Sequence, residues 1–82
     1  PVNVSPSRYM LVTRHRDMPG IIGKLGSLLG SNNVNIASMQ VGRKIVRGEA
    51  VMVLSIDDPL PEGILMEITK VQGIQEAYTI VL

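Results

Sequence analysis

The amino-acid sequence predicts an α+β fold with the element order βαββαβ. Three observations support this: the 82 residues suffice for one domain, four segments have the apolar pattern of strands, and two segments repeat apolar residues at helical spacing. Each β-α-β half needs a right-handed crossover, and the simplest closed arrangement of two such halves is a ferredoxin-like sandwich. We therefore expect a four-stranded antiparallel sheet of strand order 4-1-3-2 with both helices on one face.

The first half of this pattern combines a strand with an amphipathic helix. Residues 8–14 alternate in the manner of a strand, and a polar loop follows. Pro19 suits the first position of the helix, where its missing N–H costs nothing, and Asp17 or Met18 would provide the cap. The helix is expected to end near Asn32. Its apolar stripe consists of Ile21, Ile22, Leu25, Leu28 and Leu29.

The middle of the chain is predicted to form a hairpin. Residues 34–41 predict the second strand, and an irregular alternation around Ile36 indicates a β-bulge. A polar loop over residues 42–48 leads into the third strand, residues 49–56. The core-facing side of the third strand is expected to carry Ala50, Met52, Leu54 and Ile56.

The last α-β segment follows a break at Asp57-Asp58-Pro59. The second helix is expected to start near Pro61 and to end at Gly73, and residues 74–82 would form the last strand. The apolar stripe of this helix consists of Ile64, Leu65, Ile68 and Val71.

Two features indicate a partner, either a second copy or a neighbouring domain. The outer face of the predicted sheet is not polar, because the third strand offers Val51 and Val53 there, whereas faces left in water usually carry polar residues. The first helix carries small residues opposite its apolar stripe, which are either tolerated on a solvated face or allow another backbone to approach closely. These small residues are Gly23, Gly26, Ser27 and Gly30.

The composition excludes several functions. A net charge of +1 gives no long-range attraction to nucleic acid or to an anionic membrane, and no apolar run approaches the roughly 20 residues of a membrane span. The absence of cysteine excludes disulfides and thiolate chemistry. Residues 1–7 contain two prolines and two serines and no initiator Met, so we expect a linker from an upstream parent enzyme.

The sequence predicts neither a catalytic site nor a metal site. His15 is the single histidine, and no serine has the context of a nucleophile. Asp57 and Asp58 are adjacent in a turn, where carboxylates usually cap the turn and face water. A metal needs three or four convergent ligands, which these residues do not supply. The Gly20–Gly26 stretch fits neither glycine-rich phosphate-binding pattern, and two tyrosines are too few aromatics for an RNA-stacking surface.

The segment from His15 to Gly20 is the strongest candidate for ligand binding. The N-terminus of the helix that it opens presents free N–H groups and a partial positive charge, which suit a carboxylate. Asp17 can pair with an ammonium group, and backbone amides from Met18 to Ile21 can bind the carboxylate, so a free amino acid fits. The alternative is that Asp17 only caps the helix and His15 only occupies a loop.

The same segment resembles the ACT domain family. The resemblance covers residues 8–82 and lies in Asp17-Met18-Pro19-Gly20, in the amphipathic helix after it and in Val34-Asn35-Ile36. The run from Asn35 to Arg43, with Gly48-Glu49-Ala50 after it, is similar to the C-terminal ACT domains of D-3-phosphoglycerate dehydrogenases. A related run occurs in the ACT segment of bacterial iron–sulfur L-serine dehydratases.

The resemblance implies an L-serine-binding regulatory domain that forms a homodimer, side by side, through an edge strand. The loop before the first helix of one copy and the residue that opens the second strand of the other would both contact the ligand. The implied ligand-binding residues are His15, Asp17, Met18, Pro19, Gly20, Ile21, Asn35 and Ile36. Asp17 departs from members that carry an amide at this position, although a carboxylate can still accept from the ammonium of the ligand.

The resemblance also implies a parent enzyme whose upstream catalytic domains oxidise 3-phosphoglycerate with NAD in serine biosynthesis. Such a parent is expected in the cytoplasm or, in a plant, in the plastid stroma. The domain itself would be non-catalytic and would hold neither cofactor nor metal. Three alternatives stay open: the corresponding domain of an L-serine dehydratase, a ligand-free dimerisation module and, more distantly, a small acylphosphatase-like hydrolase.

Overall fold

The computed structural model describes residues 8–43 and 48–82 and confirms the predicted βαββαβ order. The elements are β1 (Tyr9–Arg16), α1 (Ile21–Ser31), β2 (Ile36–Arg43), β3 (Glu49–Ile56), α2 (Ile64–Thr69) and β4 (Ile74–Val81). The strands form one antiparallel sheet of order β2-β3-β1-β4, which is the predicted order read from the other edge. The expected linker over residues 1–7 and the loop residues 44–47 lie outside the described residues.

Strand β1 lies inside the sheet and pairs on both sides. Tyr9 lies opposite Ile56 of β3 at one end, and His15 lies opposite Ala50 at the other. On the β4 side the register shifts between Arg14 and His15, which indicates a bulge or irregularity there. The strand was predicted to end at residue 14, but pairing continues to residue 16 because both neighbours extend past that point.

The core lies between one face of the sheet and the two helices. Strand β3 supplies the four predicted residues, Ala50, Met52, Leu54 and Ile56, each no more than 1% exposed. The helices contribute Ile21, Leu25 and Leu29 from α1 and Ile64 and Ile68 from α2. The prediction that Ile22 belongs to the buried stripe was wrong, since its side chain is 41% exposed, and Leu28, Leu65 and Val71 are half-buried.

Both helices begin later than predicted, because a glycine in the left-handed conformation precedes each of them. Gly20 has φ 83° and caps α1, and its carbonyl accepts the first helical bond from the amide of Lys24 at 2.9 Å. Asp17, Met18 and Pro19 therefore precede the N-cap residue, so neither Asp17 nor Met18 occupies the cap position and Pro19 is not the first helical residue. Gly63 plays the same part for α2 with φ 85°. A residue with such a φ is not part of a right-handed helix, so neither helix extends toward the N-terminus beyond its glycine. Few residues other than glycine adopt this φ.

The end of α1 explains why β2 begins at Ile36 and not at residue 34. Asn33 adopts φ 60°, and the amide of Val34 donates to the carbonyl of Leu29 at 2.9 Å. This bond and the one from Asn33 to the carbonyl of Gly30 make a Schellman motif, so the amide of Val34 completes the helix end and does not pair in the sheet. The predicted bulge is confirmed by a register shift between Ile36 and Ser38.

The second helix and the hairpin loop are both shorter than predicted. Helix α2 ends at Thr69, whereas it was predicted to end at Gly73 with Val71 as the last residue of its apolar stripe. Strand β2 continues through Gly42 to Arg43, so these two residues belong to the sheet and not to the loop. The prediction overextended the helix because Val71 shares the apolar character of the stripe although it lies in the turn after it.

The outer face of the sheet is partly apolar, as expected. Val51, Tyr78 and Ile80 are between 37% and 45% exposed. On the side away from the core, the register pairs Tyr78 with Val12 and Ile80 with Met10, and Val51 with Arg14. The glycines of α1 border open space: a Cβ built on Gly23, Gly26 or Gly30 meets nothing within 4 Å. Within the described chain, therefore, no other backbone approaches these glycines.

Gly73 lies in the turn before β4 and packs closely against the start of α1, so it should not tolerate a side chain. It has φ 99°, and a Cβ there would lie 2.8 Å from Cδ1 of Ile21 and 3.1 Å from Sδ of Met18. Gly73→Ala is expected to lower the free energy of unfolding by about 1–2 kcal/mol for the left-handed backbone, with the contact on Ile21 in addition.

Urea unfolding of the variant measures this loss, and Gly23→Ala is the matched control. Because Gly23 lies inside a helix beside open space, alanine there should leave stability unchanged or raise it by up to about 1 kcal/mol. Equal stability of the Gly73→Ala chain and the unsubstituted chain would contradict the close approach of Gly73 to Ile21.

Candidate functional site

His15 is a buried strand residue and not the loop residue that was predicted. It is the second-last residue of β1, points to the helix-covered face and is 1% exposed. Its cross-strand neighbours are Ala50 on β3 and Ile74 on β4. Since a small and an aliphatic side chain flank it, the imidazole sits in largely apolar surroundings at the end of the sheet where α1 begins.

The loop that follows His15 is tied to its two neighbouring turns by backbone hydrogen bonds. The amide of Arg16 donates to the carbonyl of Gly73 at 2.9 Å, and that of Asp17 donates to the carbonyl of Gly48 at 2.7 Å. The amide of Met18 donates to the carbonyl of Arg16 at 2.9 Å. These bonds fix residues 16–18, so the loop presents a defined surface beside His15.

The N-terminus of α1 offers backbone donors at this loop. The first helical bond comes from Lys24, so the amides of Ile21, Ile22 and Gly23 lack the i−4 partner that later residues have. The N-cap residue, Gly20, has no side chain to cap this helix end, and the first turn of α1 carries no acidic residue. The partial positive charge of this helix end favours an anion such as a carboxylate.

The electrostatics around His15 favour a neutral imidazole. Burial lowers the pKa of His15, because the imidazolium loses its hydration, and the nearby Asp17 carboxylate partly opposes this by raising it. Nδ1 of His15 is buried without a hydrogen-bond partner among the described residues. The adjacent Arg14 lies on the other face of the strand, where it pairs with Glu49 at 3.6 Å and Glu76 at 3.9 Å.

Two of the predicted site residues, Asn35 and Ile36, lie at the opposite end of the sheet. Ile36 pairs with Ile56, and Ile56 pairs with Tyr9, which lies six residues before His15 on β1. At about 3.3 Å per residue this separation is about 20 Å along the strand. Within one chain, therefore, the fold leaves Asn35 and Ile36 apart from the other six predicted residues, which lie together at the end of β1 and the start of α1: His15, Asp17, Met18, Pro19, Gly20 and Ile21.

Asn35 has a partner within the chain that the sequence had not indicated. Its Nδ2 donates to Oδ2 of Asp57 at 2.5 Å, and the amide of Asp57 donates to the carbonyl of Asn35 at 3.2 Å. This double link joins the start of β2 to the end of β3. Asp57 thus has a structural contact, and Asn35 is exposed and held in one place.

Metal clusters, membrane-spanning helices and clefts also bear on what the described chain can do. Among residues 8–43 and 48–82 no three His, Asp or Glu side chains are grouped to hold a metal ion, and no helix there is long and apolar enough to cross a membrane. A cleft of about 280 Å³ lies at the far end of the sheet from His15. Its walls are mainly apolar and include Tyr9, Ile56, Leu60, Leu65 and Val81.

Three residues that lie at the site were not predicted to be part of it. Gly48 and Gly73 anchor the loop through their carbonyls, although the sequence indicated only that they end a loop and a helix. Thr13 lies two residues before His15 on the same face, 0% exposed. The signal was present in the alternation of β1, which places Thr13 and residue 15 on the face of Leu11 once the strand is extended.

The burial of His15 predicts that acid weakens the fold. Its pKa is lowered in the folded chain, so below its ordinary value of 6.5 the unfolded chain binds the proton more readily. Stability is therefore fully present above pH 6.5 and falls below it, by at most about 1.4 kcal/mol per pH unit. Urea unfolding at about pH 7.5 and about pH 5 measures the loss, because carboxyl and amino groups titrate mostly outside this range.

The control for this prediction is His15→Leu, which fills the buried volume and removes the only histidine of the chain. The variant should have the same stability at both pH values. An equal acid-induced loss in the variant and the unsubstituted chain would show that His15 is not the group responsible.

Comparison with known proteins was made for the sequence and for the fold. The sequence profile of the ACT domain matches residues 9–73. The chain is 76% identical over its full length to the D-3-phosphoglycerate dehydrogenase of Synechocystis sp. and 44% identical, over 89% of its length, to that of Bacillus subtilis. It covers only 15% and 14% of those proteins, so the chain spans about one seventh of the length of these relatives.

Solved structures of low sequence identity share the fold. The ACT domain from GTP pyrophosphokinase of Chlorobium tepidum has a TM-score of 0.66 at 15% identity, over 88% of this chain and 95% of that one. The C-terminal domain of the MgtC protein from Mycobacterium tuberculosis has a TM-score of 0.59 at 13% identity, over 96% and 94% of the two chains. The βαββαβ sandwich and the profile over residues 9–73 agree, and the chain belongs to the ACT domain family.

Proposed function

We propose that this chain is the L-serine-binding regulatory domain of a D-3-phosphoglycerate dehydrogenase. The observation that carries the proposal is the 76% identity over all 82 residues to the D-3-phosphoglycerate dehydrogenase of Synechocystis sp.. The relatives from Bacillus subtilis and, at 37% identity, from the chloroplast of Arabidopsis thaliana carry the same enzyme name. The parent would oxidise 3-phosphoglycerate with NAD, and both would bind to catalytic domains outside these residues.

The site at the start of α1 suits the two charged groups of a free amino acid. The amides of Ile21, Ile22 and Gly23 and the partial charge of the helix end can bind the carboxylate. The imidazole of His15 can donate one further hydrogen bond to that carboxylate. The carboxylate of Asp17, close enough to His15 to raise its pKa, can accept from the ligand ammonium.

Asn35 can join this site only from a second copy of the chain. It lies about 20 Å along the sheet from His15 of its own chain, at the other end of β1. When two copies pair their β2 edges antiparallel about a two-fold axis, the start of one β2 lies beside the end of the other. Asn35 of one copy then approaches the end of the sheet where His15 of the other copy lies.

The surface of β2 supports pairing at this edge. Met39 and Val41 are 43% and 38% exposed, although the register aligns them with the buried Leu54 and Met52 on the helix-covered face. The helices of the chain therefore leave an apolar part of this face uncovered at the edge strand. Unpaired backbone groups together with exposed apolar side chains favour addition of another strand. A second copy would cover both.

Such a divided site gives a mechanism for regulation. L-Serine would bind tightly only to the arrangement in which two copies complete the site, and a ligand shifts an equilibrium by its differential affinity for the two states. By reciprocity, L-serine would strengthen the pairing by the factor by which pairing strengthens serine binding. The catalytic domains of the parent would respond to this change in the distance or angle of the paired domains.

Calorimetric titration of the chain with L-serine tests the proposal. Saturable binding is expected at a concentration where sedimentation shows a dimer, with weaker or no binding of glycine and D-serine. His15→Leu and Asn35→Ala should each weaken binding by about 10- to 100-fold, the effect of losing a hydrogen bond to a charged group.

Asp57→Asn is the control for Asn35→Ala, because it alters the partner of Asn35 without removing the amide from the site. It should bind L-serine within a few-fold of the unsubstituted chain. If the dimer is intact but takes up no L-serine at millimolar concentration, the proposal fails and the domain serves as a dimerisation module.

A further inference from the structure

Thr13 and His15 share an unusual condition on the helix-covered face of β1. Both are buried, at 0% and 1% exposure, and Oγ1 of Thr13 and Nδ1 of His15 each have no hydrogen-bond partner among the described residues. Buried polar atoms are nearly always hydrogen-bonded, and those that are not need an explanation. Two such atoms, two residues apart on the same face of one strand, invite a joint explanation.

The cross-strand neighbours of Thr13 and His15 offer these two atoms no partner. On the same face the cross-strand neighbours of Thr13 are Met52 and Ala77, and those of His15 are Ala50 and Ile74. None of these side chains is a good hydrogen-bonding group. Residues two apart on a strand are about 6.6 Å apart, and their polar atoms can approach to the span of a single bridging water.

We propose that Thr13 is a positioning residue for His15: its hydroxyl holds a buried water that donates to Nδ1, so that the single proton of the neutral imidazole stays on Nε2. A partner that donates to one ring nitrogen of a neutral histidine leaves the single proton on the other nitrogen. Nε2–H is then the donor that a ligand carboxylate meets. This last step rests on the proposed function, whereas the choice of tautomer does not.

The lowered pKa of His15 makes the choice between its two nitrogens important for binding. Burial lowers the pKa of His15, so near neutral pH the ring carries one proton and must place it on one of two nitrogens. A ring with its proton on Nδ1 would turn an acceptor toward the carboxylate and would repel it. In this arrangement Thr13 does not contact the ligand. It acts through His15, by favouring the tautomer that can donate to the carboxylate.

The ¹⁵N chemical shifts of the imidazole test the tautomer directly. Because the chain has one histidine, the signals need no assignment to a residue. At about pH 7.5, where the neutral ring predominates, the unsubstituted chain should show the Nε2–H form. Thr13→Val, which removes the hydroxyl and keeps the shape, should shift the population toward Nδ1–H, and Thr13→Ser should restore it. An Nδ1–H ring in the unsubstituted chain, or an unchanged ring in Thr13→Val, overturns the proposal.

Titration with L-serine provides the second measurement. Thr13→Val should weaken binding by about 3- to 10-fold, the effect of one neutral hydrogen bond, and Thr13→Ser should bind as the unsubstituted chain does. If the tautomer changes as expected but the unsubstituted chain binds no L-serine, the proposed function fails and the role of Thr13 stands. If the affinity falls equally in both variants, the hydroxyl is not the cause and the positioning role fails.

Discussion

The register of β1 is the constraint on which the rest of the structure depends. The strand pairs with β3 and β4 on its two sides, and its pleat places Leu11, Thr13 and His15 on the helix-covered face. A slip by one residue would send all three to the outer face and bring the charged Arg14 into the core. The same register places His15 at the end of the sheet, five residues before Gly20, the cap of α1. Core packing and the candidate site are therefore set by one strand.

The sequence predicted the fold well because its signals are local and periodic. The bounds of β3 and its four core residues agree with the structure, and the disturbed alternation near Ile36 marks a real bulge. The helix starts were predicted too early, because Asp17, Pro19 and Pro61 are residue types typical of helix starts. The actual caps, Gly20 and Gly63, depend on a positive φ, which the residue types alone do not reveal. His15 was placed in a loop because Arg14 and Arg16 flank it. Its burial comes from Ala50 and Ile74, which are distant in sequence.

The candidate site shows the same division between local and distant information. The donors at the start of α1 follow from any helix opened by a loop of this kind, and the sequence predicted them. The anchoring of that loop by Gly48 and Gly73 depends on two turns brought together by the sheet. Asn35 was assigned to the ligand by resemblance alone, and the fold explains how it could serve: opposite ends of one sheet meet when two copies pair antiparallel at β2.

Mixing two defective chains tests the divided site most directly. His15→Leu and Asn35→Ala chains, each weak in L-serine binding, are combined, allowed to exchange and titrated with L-serine. Under random pairing about half of the dimers are mixed and each of these has one intact site, so about a quarter of the original sites should return. If His15 and Asn35 acted on the ligand from within a single chain, no mixture could restore binding, and the absence of recovered sites would contradict the account.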